Sequence, residues 1–266
     1  MKITSDILNI IKEKKERELV TLLENFTKTE VLSECAQYLD KRAYITIDTL
    51  GSIKRKKGSL ALPVFAFLND NEILAQEILS SSDIRERQNF DKIDRFSSLD
   101  IDKVKINFIK TLFNGNLEFS KKYGKELFLR DTNEFYRVVS NFSLIGSKSI
   151  KPLMVLALKK LMTTYDENIF HLFISYMTKN RDNTCVYEIV EELETTTEEL
   201  KTLLKSNMEL LNSYEGLALT SALTLIDNMQ PDNKGRVLGK IKFEIENTKL
   251  YTPLNKVEKN LLEIFL

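Results

Sequence analysis

Turn-forming residues are scarce in this chain: four prolines and eight glycines serve 266 positions. A β-rich chain of that length needs many tight turns, and Gly and Pro build most of them, so the scarcity favours long helices. Apolar spacing agrees. Ile7, Leu8, Ile10, Ile11, Leu19, Val20, Leu22, Leu23 and Phe26 recur at three- and four-residue intervals around the charged run Lys12 to Glu18, which predicts one long amphipathic helix.

Helix starts are written into the sequence. Thr27-Lys28-Thr29-Glu30 has capping-box spacing, in which the Thr hydroxyl and the Glu carboxylate each satisfy a backbone amide at a helix start. Thr195, Thr196 and Thr197 precede Glu198 and Glu199 in the same way, and Leu200, Leu203, Leu204, Met208 and Leu211 then predict a helix over 197–213. About a dozen further helical segments lie between these points. They are separated by short polar breaks such as Asn69-Asp70-Asn71, Asn114-Gly115-Asn116, Lys179 to Asn183, and Pro231 to Gly235. None is long enough for a flexible interdomain linker. Residues 43–68 carry two readings. Ile45 and Ile47 alternate with polar residues ahead of the Lys-Arg-Lys-Lys-Gly run, as a β-hairpin requires, whereas an apolar second helix suits a repeat.

A shift of 30 residues superposes Leu32 on Leu62, Ala36 on Ala66 and Asp40 on Asp70, and similar segments surround Asp131 and Asp166. Each reads as an apolar helix, an Asp near its end, and a second apolar helix. Leu50-Gly51-Ser52 and Ile145-Gly146-Ser147 both close a second helix, while Pro63 and Pro152 sit near the start of a following first one. Over roughly residues 29–180 this pattern resembles the HEAT/armadillo class of helical repeats. The family's Val-Arg start to the second helix is absent, apart from a displaced Arg137. The resemblance implies an all-α fold, a right-handed α-α superhelix of antiparallel helix pairs with an extended concave face. Residues 1–180 would form that array, and 181–266 would continue it or form an acidic C-terminal cap.

Lys plus Arg and Asp plus Glu both total 39, so no global charge draws the chain onto nucleic acid or an anionic membrane. Cys35 and Cys185 are far apart and lack metal-ligand spacing, which reads as two buried thiols in a reducing compartment. The apolar stretch near the N-terminus is broken by Asp6 and Asn9, unlike a signal peptide, and no segment approaches a bilayer span. The expected location is cytoplasmic, without membrane association.

Residues that carry chemistry are few. The single histidine, His171, lies between Phe170 and Leu172 on a predicted helix, as a structural histidine would. One His removes the common zinc sites and, without a Gly-x-Ser-x-Gly elbow, leaves no nucleophilic set. Neither a phosphate-cradling Gly-rich loop nor a dinucleotide fingerprint occurs, so no cofactor is expected. Asp100-Ile101-Asp102-Lys103 has the look of a metal-dependent nuclease fragment, yet it opens a predicted helix, where acids are favoured by the helix dipole alone. Asp91 and Asp94 fall in a segment of ordinary amphipathic period.

Lys54, Arg55, Lys56 and Lys57 form the densest basic cluster, expected in the connection between the first two repeat units as a possible contact for a phosphate or an acidic protein. The opposite polarity follows in Asp182, Glu188, Glu191, Glu192, Glu194, Glu198 and Glu199, an asymmetry that can steer a partner or direct head-to-tail self-association. Residues 185–207 have helix-turn-helix lengths, but the second helix would present Glu198 and Glu199 to DNA phosphates. The expected function is therefore a non-enzymatic interaction module that binds a protein partner on its concave face. The alternative is a nucleic-acid-binding helical-repeat protein. The resemblance extends to folds like those of DNA alkylation glycosylases, which use Trp and Asp at the lesion; this chain has no Trp, so binding without glycosylase activity is what it implies.

Overall fold

A computed structural model describes residues 7–47, 49, 52–84, 96–180 and 182–266. Among the described residues the fold is all-α apart from one small hairpin. In chain order the helices are α1 (Ile7–Lys12), α2 (Glu16–Asn25) and α3 (Lys28–Cys35), followed by the strands β1 (Tyr44–Ile47) and β2 (Ile53–Lys56). Then come α4 (Ala61–Phe67), α5 (Asn71–Ser81), α6 (Ile101–Phe113), α7 (Leu117–Arg130), α8 (Thr132–Leu144), α9 (Lys151–Leu161) and α10 (Glu167–Lys179). The chain closes with α11 (Cys185–Ile189), α12 (Thr197–Ser206), α13 (Met208–Leu211), α14 (Tyr214–Met229), α15 (Lys234–Asn247) and α16 (Lys256–Phe265). Among the described residues no helix is long and apolar enough to cross a membrane.

The caps formed where the sequence placed them. Thr27 and Glu30 make a full capping box at α3, and Thr196 and Glu199 make another at α12. Two expected helices are broken. Lys14, at φ 51°, separates α1 from α2, because the left-handed region cannot continue a right-handed helix. Asn207 interrupts 197–213: it ends α12 and its carboxamide oxygen accepts from Leu210 N to start α13.

A hairpin does form within residues 43–68, but not the one expected: its second strand is Ile53–Lys56, which holds most of the basic run read as the turn, the apolar run after it is the helix α4, and the second repeat helix expected near Ile45 and Ile47 is not formed. β1 and β2 pair antiparallel, with Tyr44 opposite Lys56 and Thr46 opposite Lys54. The four recurring aspartates divide accordingly. Asp70, Asp131 and Asp166 are N-caps, accepting from the amides that open α5, α8 and α10. Asp40 caps nothing and instead binds Arg42 and Lys56. The Asp periodicity is thus accounted for at three positions by capping of free helix amides.

By compactness the chain divides into two units, and the boundary falls within α9. The first comprises Met1–Arg130 and Ala157–Arg181. Within it α2 packs on α5, α3 on α4, and α7 on both α6 and α10. Leu19, Val31, Leu32, Phe65, Leu74 and Ile78 fill one part of its core, and Val104, Phe108, Leu127, Phe170 and Phe173 another. Buried Asn180 tethers the entrance to the hairpin: Oδ1 accepts from Ala43 N at 2.5 Å, and Nδ2 donates to Lys41 O at 3.0 Å.

The second unit comprises Asp131–Leu156 and Asp182–Leu266. Its centre is α14, buried on nearly every side from Tyr214 to Ile226 and packed by α8, α12, α13, α15 and α16. A helix enclosed in this way must be apolar around its whole circumference. Glu215, the acid in its first turn, is satisfied by Thr252, whose amide and hydroxyl each donate at 2.8 Å. Residues 190–195 form no helix. Leu193 N donates to Gly235 O on α15, which carries the chain past that helix in close backbone contact.

Candidate functional site

The basic cluster does not occupy a loop. Lys54, Arg55 and Lys56 lie on β2, and Lys57 follows it directly. Lys56 forms an ion pair with Asp40 and stands 5.6 Å from the centre of the exposed Tyr44 ring. Asp40 is itself held well below the usual carboxylate range: its partial burial opposes ionisation, but hydrogen bonds from Lys56 and Arg42 outweigh it. Lys56 is therefore matched by a carboxylate. Three further lysines are paired with acids as well: Lys15 with Glu13 and Glu18, Lys103 with Asp100, and Lys122 with Glu118.

Asp100 caps α6, accepting from Lys103 N at 2.9 Å, and Asp102 is an exposed acid of the first turn. Among the described residues no three His, Cys, Asp or Glu side chains gather to hold a metal. Asp91 and Asp94 lie outside the described residues. The cysteines differ from each other. Cys35 is buried, which pushes its thiol pKa far up, whereas Cys185, expected to be buried, is exposed at the start of α11. The helix-turn-helix comparison, already opposed by Glu198 and Glu199, also fails on length, because α11 has five residues and a non-helical segment separates it from α12.

His171 is 1% exposed on α10, at the junction with α7. Its Nε2 lies 3.0 Å from Glu167 Oε1, and Glu167 Oε2 lies 2.5 Å from Lys125 Nζ. Burial, helped by the positive Lys121 and Lys125, lowers the imidazole pKa to about 3, so His171 is neutral. Tyr165 lies over the same group, with Lys125 Nζ 5.3 Å from its ring centre. Its hydroxyl pKa is raised by burial and by the neighbouring Glu167. Phe128 and Phe170 close the cluster from the apolar side. An enclosed, charge-matched group of this kind joins two helices.

The exposed feature is on α6. Its core face is Val104, Phe108 and Leu112, all buried at four-residue spacing. A second apolar stripe, Ile106, Ile109 and Phe113, occupies another face of the same helix at positions i, i+3 and i+7. Ile106 is 47% and Phe113 58% exposed. α7 adds the exposed Phe119, whose ring stacks with that of Tyr123 at 6.2 Å. Phe113 and Phe119 flank the turn between the two helices, where Gly115 takes φ 64°. Lys103, Lys105, Lys110, Lys121 and Lys122 lie on the same helices, against Asp100, Asp102 and Glu118 as the acids over residues 100–123, with Lys103 paired to Asp100 and Lys122 to Glu118.

The sequence reading placed a helix here without separating its faces, and so missed this stripe. Its signal was present, since a helix apolar on two faces is normally enclosed on both. Comparison with protein-family models, with curated proteins and with solved structures finds no match for this chain.

Proposed function

We propose that the protein is a non-enzymatic helical interaction module whose outer α6–α7 face binds a protein partner presenting apolar and acidic residues. The observation that carries this reading is the exposure of Ile106, Phe113 and Phe119 on a helix pair rich in lysine. Exposed apolar clusters rimmed by charge mark association surfaces, and a lysine rim selects an acidic counterpart. The HEAT-like arrangement belongs to the same proposal: α4 and α5 form a helix pair with Pro63 in the first helix and Asp70 capping the second, as such units require.

The test is affinity capture from the native cell with three proteins. They are the wild type, a variant carrying Ile106→Asp and Phe113→Asp, and a control carrying Leu250→Asp, since Leu250 is 78% exposed elsewhere. Partners retained by the wild type and the control but lost by the double variant support the reading. Equal capture by all three overturns it.

A further inference from the structure

The charges of the chain are sorted by unit. The first unit holds 27 Lys and Arg against 22 Asp and Glu; the second holds 12 against 17. The first unit's surplus includes the α6–α7 face. The second unit's includes Glu188, Glu191, Glu192, Glu194, Glu198 and Glu199, all exposed, with neither Lys nor Arg over residues 182–200. Among these acids stands Ile189, 70% exposed on α11. One surface is apolar with a lysine rim, and the other is an apolar knob in an acidic field.

We infer that the acidic α11–α12 segment of one copy docks on the α6–α7 face of another, giving head-to-tail self-association. This rests on the protein-binding reading above and names its occupant. The contact joins two different surfaces, so it is heterologous, and each added copy leaves one surface of each kind available; closed rings or open chains follow. Its electrostatic part is exposed and so weakens with salt, while Ile189 against Ile106 and Phe113 supplies the salt-insensitive part.

Sedimentation velocity of the full chain from low to high micromolar concentration tests the inference. The wild type is expected to rise above its 30.8 kDa monomer mass, less so at high salt. Lys105→Glu with Lys110→Glu, and separately Glu191→Lys with Glu194→Lys, should each weaken association by about ten-fold or more. Mixed in equal amounts, the two variants should associate again, because each then meets a complementary surface. Circular dichroism of each variant confirms the fold. A wild type that remains monomeric throughout overturns self-association while leaving capture of a different partner through Ile106 and Phe113 intact. Unchanged association of either variant overturns the assigned surfaces.

Discussion

Lys125 on α7 and Glu167 on α10 are joined at 2.5 Å, with side chains 9% and 21% exposed. The pair ties together helices that are far apart in the sequence, and its removal leaves a carboxylate with little water to solvate it. Lys125→Met is expected to lower the unfolding free energy by about 3–5 kcal/mol. Adding Glu167→Gln should restore much of that loss, because no uncompensated charge remains. Urea unfolding of the two variants measures both; a loss below about 1 kcal/mol for the single variant would place the pair with surface ion pairs.

The neutral state of His171 makes stability depend on pH. Its pKa falls from 6.5 to about 3 on folding, so the unfolded chain takes up the proton first as the solution is acidified. Stability from this group is complete above pH 6.5 and declines as pH drops toward 3, by about 1.4 kcal/mol per pH unit inside the window. Lys121 and Lys125 reinforce the decline. His171→Gln should flatten the stability curve between pH 6.5 and 4.5, where the carboxylates contribute least. Thermal unfolding across that range gives the answer, and an unchanged slope would exclude the role.

Gly239 and Gly235 sit one turn apart on α15 and should respond oppositely to alanine. A Cβ at Gly239 would stand 2.5 Å from Glu191 O, a backbone atom, whereas at Gly235 the nearest atom is 3.5 Å away. Gly239→Ala must displace that non-helical segment and is expected to cost about 1–3 kcal/mol. Gly235→Ala meets only ordinary contact and should be neutral or stabilising by up to about 1 kcal/mol. Chemical denaturation of both variants checks the contrast.

Thr196 accepts from Glu199 N, and the Glu199 carboxylate accepts from Thr195 Oγ1 at 2.5 Å, so two side chains close the start of α12. Thr196→Ala should cost about 1 kcal/mol. Faster amide exchange at Glu198 and Glu199, with α14 unchanged, would confine the effect to that helix end.

Local features were legible because their causes are local. The capping boxes at Thr27 and Thr196, the cap at Asp100, and the breaks at 69–71 and 114–116 each depend on residues a few positions apart. The readings that failed depended on distant residues. Ile45 and Ile47 suited a helix or a strand, and the hairpin they form is tethered by Asn180, far along the chain. Cys35 and Cys185 were both read as buried from their wide separation and lack of metal-ligand spacing, and only packing separated the buried thiol from the exposed one. The second stripe of α6 was visible as a pattern, but whether another helix covers it is a property of packing.

Helix content, helix starts and the absence of a bilayer-length apolar segment follow from the order of residues alone, because hydrogen bonding and side-chain periodicity within a few turns set them. Tertiary structure decided which face of α6 is enclosed, that His171 is neutral beside Glu167, and that Lys56 is matched by Asp40. Those outcomes depend on desolvation and on partners brought from far along the chain, and both exist only once the helices have packed.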